Sequence, residues 1–315
     1  MEQKAIQLGA VLLTLAFLLR LAGTRGNEEI GRTLLFLSSG RMVTQTADPA
    51  PDPEENREEE PADPAAAIPV FGENQETLVQ VNAPWPVDTL DLLRQPLEWD
   101  LAGEEPTVVI LHSHATESYE KEAGYEETSP YRTLDTNYNM VSVGERVAQL
   151  LEAGGIRVIH DRTLHDYPSY NGSYNHARAS IAEYLKKYPS IRLVLDLHRD
   201  ASGDVNNQLR TQATVNGTPS AQLMLVIGTG ESGLKHEHWQ DNLALGLKLH
   251  AQLESIAPGI TRPLMLRTQR FNQDLSPGAL LIEVGAAGNT HPEALAAAEV
   301  LAAAIADLAL GANSG

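Results

Sequence analysis

From about residue 104 to its C-terminus, the chain alternates regularly between two kinds of segment. Short apolar runs rich in β-branched residues, which are typical of buried strands, occupy residues 107–111, 156–160, 191–197, 223–227 and 280–284. Amphipathic stretches of helical length lie at residues 139–153, 174–187, 240–256 and 292–310. Apolar strands that alternate with helices predict an α/β fold in which a mainly parallel sheet carries helices on both faces.

The N-terminus carries a long apolar segment. Residues 5–19 are almost wholly apolar, and the run approaches the roughly 20 residues that a membrane-spanning helix requires. We predict a transmembrane anchor at residues 1–24; the alternative is a cleaved signal peptide, whose small-x-small site is poorly matched at residues 22–24. Arginines follow the run and one lysine precedes it, a distribution that by itself disfavours export of the C-terminal part.

The composition of residues 25–103 predicts an acidic, proline-rich linker, which leads to a folded zinc amidase domain predicted at residues 104–315. Within the linker, residues 47–67 contain no aromatic and no large aliphatic side chain, so they cannot bury enough apolar surface to fold by themselves. The net charge of −19 argues against nucleic acid as a partner. The absence of cysteine is compatible with an oxidising compartment and does not require one.

Histidines and carboxylates stand where three of the predicted strands end. The first strand is followed by His112, His114 and Glu117, of which the last two form an HxxE motif. A later strand ends at His198, and the last contains Glu283. Because ligands bind at the carboxyl ends of parallel strands, these side chains are expected at one rim of the sheet. Imidazole and carboxylate are zinc ligands, so the order along the chain indicates a mononuclear zinc hydrolase.

Five longer motifs occur in order and resemble the stage II sporulation protein P family. They read HSHATESY, NMVSVGERVAQLLEAGGIRVIHD, DYPSYNGSYNHAR, DLHRDA and NQDLSPGALLIEVGAAGNT. The resemblance implies the phosphorylase/hydrolase-like fold of zinc N-acetylmuramoyl-L-alanine amidases. It also implies cleavage of the bond between muramic acid and L-alanine in peptidoglycan, and possession of endopeptidase activity on stem-peptide cross-links.

The same resemblance implies a setting for this activity. Family members act in engulfment during endospore formation, anchored in the mother-cell membrane with the zinc amidase domain facing the septal wall. Their implied partners are the sporulation proteins D and M. The arginine-rich flank of the apolar segment departs from a clean signal anchor.

The expected zinc ligands are His114, Glu117 and His198, with Glu283 as the general base that activates water. By the pattern of the related amidases, Glu126 or Glu127 is the alternative to Glu117. His112 is the alternative to His114, because alternation places both on the same side of an extended strand.

Four residues are expected to contact substrate: His112, Arg199, Arg210 and Asn272. Two other functional classes remain open at this stage. A metallocarboxypeptidase would need Arg199 or Arg210 to hold a substrate carboxylate. A non-catalytic wall-binding scaffold would use the same cluster to hold a metal for structure alone.

Overall fold

A computed structural model describes residues 66–72, 75–84, 87–95, 97, 99–204 and 207–312. The predicted anchor at residues 1–24 and most of the predicted linker lie outside these ranges and stay predictions. Within the described ranges, no helix is both long enough and apolar enough to cross a membrane.

Strands and helices alternate through most of the described chain. The strands are β1 (Ala66–Gly72), β2 (Gln75–Asn82), β3 (Val108–Leu111), β4 (Val158–His160), β5 (Leu193–Asp200), β6 (Gly203–Asp204), β7 (Asn207–Gln208), β8 (Gln212–Val215), β9 (Thr218–Ala221), β10 (Leu223–Gly228), β11 (Leu264–Arg267) and β12 (Ala279–Ala286). The helices are α1 (Thr89–Arg94), α2 (Met140–Ala153), α3 (Ser173–Lys187), α4 (Trp239–Ile256) and α5 (His291–Ala312). Each strand and helix predicted from the sequence is present, with its ends shifted by a few residues.

Eight strands form one sheet in the order β1-β2-β11-β10-β12-β5-β3-β4. Strands β12, β5, β3 and β4 run parallel to one another. Strands β10, β11 and β2 form a second parallel block, which meets the first through the antiparallel β10–β12 pair. The predicted α/β fold with a mainly parallel sheet is confirmed. The antiparallel junction was not predicted, since periodicity reveals a strand and not its direction.

The two faces of the sheet are covered unequally. Leu195, Leu225 and Ile282 point to one face, where they join the large core that includes side chains of α2, α4 and α5. On the other face, α3 packs on β3 and β5. The remainder of that face holds a small cluster of Met224, Val226 and Leu281, against which Met265 and Phe271 pack. Helices lie on both faces, as predicted, but α3 covers only part of the face on which it packs.

The folded body begins before residue 104, where the sequence analysis placed its boundary. Strand β2 pairs with β11 through Val81 and Asn82. Val81, Leu92 and Trp99 are buried in the large core. The assignment of residues 25–103 to a linker is therefore corrected for these positions. Their apolar side chains are interspersed with prolines and charges, and contacts with β11 and α4 hold them in place.

Candidate functional site

A turn after β3 separates the two histidines of the HSH motif. Strand β3 ends at Leu111, and the residues that follow form turns. His112 continues the alternation of β3 and is fully buried, with Nδ1 3.0 Å from the Leu197 carbonyl oxygen and Nε2 3.0 Å from Nε2 of His160. His114 instead packs its ring against that of His198. The expectation that both histidines lie on the same side, with His112 contacting substrate, is corrected: the extended strand ends before His114.

Strand alternation places the later site residues on the side of the sheet to which His114 turns. His198 in β5 stands directly opposite Glu283 in β12 in the parallel register. Asp196 shares the face of His198 because side chains two residues apart in a strand point the same way. A cavity of about 440 Å³ is lined by His114, Glu117, His198 and Glu283. The structure thus brings together the four residues predicted as zinc ligands and general base.

The position of His114 is set by aromatic and hydroxyl contacts. Its ring stacks on Tyr170, with centroids 4.5 Å apart and planes 5° from parallel. Nδ1 lies 3.3 Å from the Ser173 hydroxyl, and the ring meets His198 edge to face at 5.3 Å. Burial, followed by the nearby His198, lowers the pKa of His114 well below its ordinary value. The imidazole is therefore neutral, the form that binds metals.

His198 is held between two carboxylates. Its Nε2 lies 2.9 Å from Oδ1 of Asp196, as an ion pair without the angle of a full hydrogen bond, and its Nδ1 lies 3.8 Å from Oε2 of Glu117. Burial alone would lower the pKa of His198, but the charges of Asp196, Glu117 and Glu283 outweigh it and raise the pKa to about 9. A carboxylate on one ring nitrogen is the usual partner of a metal-binding histidine.

Glu117 is fixed by two arginines. Its Oε2 accepts a hydrogen bond of 3.2 Å from the Arg199 backbone N–H, and its Oε1 lies 3.3 Å from Nη1 of Arg199 and 3.4 Å from Nη2 of Arg132. Arg199 also donates to the carbonyl oxygens of Ser118 and Tyr131. Arg199 lines the cavity, but its buried guanidinium is engaged in holding Glu117 and this loop, so its contact with substrate stays a prediction.

Glu283 has the environment of a proton-transfer group. It is partly shielded in β12, and its Oε2 is buried without a hydrogen-bond partner. Burial raises the pKa of Glu283 to about 8, against the opposing effect of the His198 charge. A carboxyl group with a pKa near neutrality can both accept and return a proton.

The alternative carboxylates lie elsewhere. Glu126 is exposed, and Glu127 accepts a hydrogen bond of 2.9 Å from the Tyr131 backbone and pairs with Lys121 at 3.7 Å. Neither lines the cavity. The geometry therefore favours Glu117 over both.

Two further residues expected at the substrate site also lie outside the cavity lining. Arg210 pairs with Glu293 at 2.6 Å. Asn272 is buried and donates a hydrogen bond of 2.7 Å to the Tyr174 carbonyl oxygen. Both expectations are corrected: these polar side chains complete structural hydrogen bonds that sequence spacing does not reveal.

The cavity also contains residues that the sequence analysis did not select. Tyr170 lies in the DYPSYNGSY motif, which was noticed only as part of the family resemblance. Arg262 precedes β11 and Arg267 is its last residue; this strand of four residues was not predicted. A short strand with two arginines near its ends carries no sequence signal that separates it from a loop.

The donor set suits a zinc ion, although the side chains do not form a closed metal site. Among the described residues, no group of three or more His, Asp or Glu meets the spacing that a metal ion requires. The imidazoles of His114 and His198 and the carboxylate of Glu117 nevertheless line one cavity. Because Asp196 contacts Nε2 of His198, the other ring nitrogen, Nδ1, faces Glu117. Neutral His114, Glu117 and His198 are the ligand types of mononuclear zinc sites.

Fold and site together define a mixed α/β protein with a histidine–carboxylate cluster at the carboxyl ends of its parallel strands. The model of the stage II sporulation protein P (SpoIIP) family matches residues 32–306, and the chain belongs to that family. It is 28% identical over 213 residues to stage II sporulation protein P of Bacillus subtilis, a match that covers 64% of this chain and 50% of the relative. The chain thus spans about half the length of that curated relative.

Solved structures of amidases show a distant likeness. The N-acetylmuramyl-L-alanine amidase Ami1 of Mycobacterium smegmatis is 14% identical with a TM-score of 0.41, over 67% of this chain and 99% of that one. The CwlD amidase of Clostridioides difficile, solved in complex with the GerS lipoprotein, is 13% identical with a TM-score of 0.40, over 64% of this chain and 98% of that one.

Proposed function

We propose that the protein is a zinc-dependent peptidoglycan hydrolase that cleaves the amide bond between muramic acid and L-alanine, with additional endopeptidase activity on stem-peptide cross-links. The observation that carries the proposal is the meeting of His114, Glu117, His198 and Glu283 in one cavity. Membership of the SpoIIP family supports the same activity. The chain matches only half of its curated relative, so the activity of that relative is assigned to this chain only as a proposal.

The zinc ion is proposed to be held by His114, Glu117 and His198. When bound, it supplies a water of lowered pKa and polarises the scissile carbonyl. The chain's own contribution is to keep these ligands in place. Ser173 and Tyr170 orient His114, and the Arg199 backbone N–H orients Glu117.

Proton transfer is assigned to Glu283. The carboxylate accepts a proton from the attacking water and returns it to the nitrogen of the leaving L-alanine. Burial raises the pKa of Glu283, so its carboxylate is a stronger base than that of an exposed glutamate. The buried Oε2, which lacks a protein partner, is the acceptor oxygen.

Location and partners complete the proposal. The protein acts in engulfment during sporulation, anchored in the mother-cell membrane through residues 1–24 with residues 104–315 facing the septal wall. Sporulation proteins D and M are its proposed partners. Family membership supports the setting.

A metallocarboxypeptidase is less consistent with the structure. The two arginines that would have held the substrate carboxylate are engaged elsewhere, Arg199 with Glu117 and Arg210 with Glu293. The remaining alternative, a non-catalytic wall-binding scaffold, is distinguished from a hydrolase by the following experiment.

The test is hydrolysis of purified peptidoglycan by the full chain and its Glu283→Gln variant. We expect the variant to retain zinc and to release soluble peptides about 10²- to 10⁴-fold more slowly, the usual contribution of a general base. Glu299→Gln, which removes a carboxylate paired with Arg146 on the surface, is the matched control and should leave the rate unchanged. Equal rates for Glu283→Gln and the wild type would eliminate the catalytic proposal and favour the scaffold.

A further inference from the structure

Thr116 lies in the turn that joins two of the proposed zinc ligands. The backbone N–H of Glu117 donates a hydrogen bond of 3.2 Å to the His114 carbonyl oxygen, so the two ligands stand at opposite ends of one tight turn. Thr116 is buried between them, and its carbonyl oxygen accepts a hydrogen bond of 2.9 Å from the backbone N–H of Thr133. The spacing of His114 and Glu117 therefore depends on the groups that hold Thr116.

Asp166 supplies the remaining hydrogen bonds of Thr116. Its carboxylate accepts bonds of 3.1 Å from the Thr116 backbone N–H and 2.6 Å from the Thr116 hydroxyl group. The Asp166 side chain is fully buried, and it reaches the turn from the loop between β4 and α3. An ionised carboxylate only accepts, whereas an amide in its place would direct a donor toward one of the donors that surround it.

Arg132 connects Asp166 to both ligands of the turn. Its Nη1 donates a hydrogen bond of 2.7 Å to Oδ2 of Asp166, and its Nη2 lies 3.4 Å from Oε1 of Glu117. Its Cζ lies 4.7 Å from the centroid of the Tyr170 ring, which stacks on His114. One guanidinium group thus contacts Glu117 directly and reaches His114 through Tyr170.

The two carboxylates beside Arg132 share its charge unequally. The contact with Asp166, at 2.7 Å, is much shorter than the contact with Glu117, at 3.4 Å. Without the Asp166 charge, the guanidinium would pair more closely with Glu117, because opposite charges attract strongly at short range in a buried site. A closer pair would compete with a metal ion for the charge of Glu117.

We propose that Asp166 is a positioning residue of the site. It fixes the spacing of His114 and Glu117 through Thr116, and it keeps Arg132 from pairing closely with Glu117. Asp166 does not line the cavity, so it acts through these residues and not on the substrate. This inference rests on the proposed hydrolase function, because it concerns two of the proposed zinc ligands.

The first test is the zinc affinity of the full chain, measured by competition with a chelator. We expect Asp166→Asn to weaken zinc binding by about 10- to 100-fold, the usual effect of losing a group that orients a ligand. Thr116→Val removes only a hydroxyl group and should weaken zinc binding by about two- to tenfold. Glu293→Gln is the matched control with wild-type affinity, since it removes a buried carboxylate that Arg210 holds outside the cavity lining.

Hydrogen exchange of the metal-free chain separates this inference from the proposed function. The backbone N–H of Glu117 bonds to His114 and not to Asp166, so its exchange rate reports the turn itself. In Asp166→Asn this rate should rise about tenfold, as expected when a hydrogen bond that holds the turn is lost. The exchange of β10 should stay as in the wild type, and Glu293→Gln should leave the Glu117 rate unchanged.

The two measurements together decide the role of Asp166. Faster exchange at Glu117 in Asp166→Asn supports the positioning role even if the wild type binds no zinc and cleaves no peptidoglycan, in which case the hydrolase proposal fails. Unchanged exchange at Glu117, or an Asp166→Asn variant that binds zinc as tightly as a zinc-binding wild type, would refute the positioning role and leave the hydrolase proposal intact. If Asp166→Asn does not fold, Thr116→Val decides by the same two measurements.

Discussion

Oε2 of Glu117 lies 3.8 Å from Nδ1 of His198 and also accepts a hydrogen bond from the backbone N–H of Arg199, the next residue along β5. The loop after β3 and the end of β5 are therefore coupled at the site itself. A shift of β5 would move His198 together with the backbone N–H of Arg199, which binds Glu117. The two proposed ligands are therefore linked through the backbone N–H of Arg199.

We predict that His198→Ala loses zinc. Removal of a proposed ligand should weaken zinc affinity by more than about 100-fold. This is a larger loss than the one that follows removal of a residue that only hydrogen-bonds to a ligand. Metal analysis of the purified chain, with circular dichroism to confirm the fold, measures this. His238→Ala is the matched control, since His238 is half-exposed and pairs with Asp241 outside the site cavity. Full zinc content in His198→Ala would contradict the ligand assignment.

We predict that the ring of Tyr170, rather than its hydroxyl group, supports His114. Tyr170→Ala removes a stacking contact worth about 0.5–1.5 kcal/mol and should lower the rate of peptidoglycan hydrolysis by about two- to tenfold. Tyr170→Phe keeps the ring and should stay close to the wild type. Tyr167→Ala, in the same loop but outside the cavity lining, should have no effect on the rate. A slow Tyr170→Phe variant would show that the hydroxyl group carries the effect.

We predict that Gly144→Ala destabilises the fold. A Cβ atom at this position in α2 would lie 2.5 Å from Nε2 of His112 and 2.7 Å from Nε2 of His160. The overpacking should cost about 1–3 kcal/mol in the free energy of unfolding, more than the gain of about 1 kcal/mol from helix propensity. Urea unfolding measures the difference.

Gly246→Ala in α4 provides the comparison for this overpacking. Its nearest neighbour is Cδ1 of Ile227 at 3.1 Å, the end of a side chain that can move. The cost in the free energy of unfolding should be smaller than for Gly144→Ala. An unchanged or increased stability of Gly144→Ala would mean that the contact between His112 and His160 is not rigid.

We predict that Glu293 makes stability depend on acidic pH. Burial would raise the pKa of Glu293, but hydrogen bonds from Arg210, Asn289, Gln212 and the Thr290 backbone lower it to about 2. Because the folded-state pKa lies below the ordinary value, the contribution is complete above about pH 4.5 and disappears as pH falls toward 2. It should amount to about 3 kcal/mol in the free energy of unfolding.

The measurement is thermal or urea unfolding of the wild type and Glu293→Gln between pH 7 and pH 2.5. The gap in stability between the two chains should narrow as pH falls. Glu299→Gln, on the surface beside Arg146, should show little change across the same range. A gap that stays constant with pH would exclude a low pKa for Glu293.

The sequence predicted the core strands and helices because their patterns are local. Strand β10 reads as a continuous apolar run, and α2 at Met140–Ala153 matches the amphipathic stretch predicted at residues 139–153. Strand β11 was not predicted: it has four residues, and its pairing with β2 and β10 supplies the stability that its own sequence does not indicate. The same reason explains why Val81 and Trp99, in the presumed linker, belong to the core.

In the candidate site, too, some residues were predicted correctly from the sequence and others were not. His198 and Glu283 were identified because each stands near the carboxyl end of a predicted strand, where the ligands of parallel sheets bind. His112 was misplaced because a turn after Leu111 ends the strand alternation. Arg199 was expected to contact substrate, yet its charge is engaged by Glu117, a residue brought close only by the pairing of β3 with β5.

By itself, the sequence determined the class of fold, the residue types at the ends of the parallel strands and the family resemblance, because these depend on local periodicity and on residue order. Only the tertiary structure decided which histidine faces the cavity, which arginines hold the carboxylates and which half of the sheet stays uncovered. Those outcomes depend on strand register and on contacts between segments distant in the chain, and no local pattern encodes either.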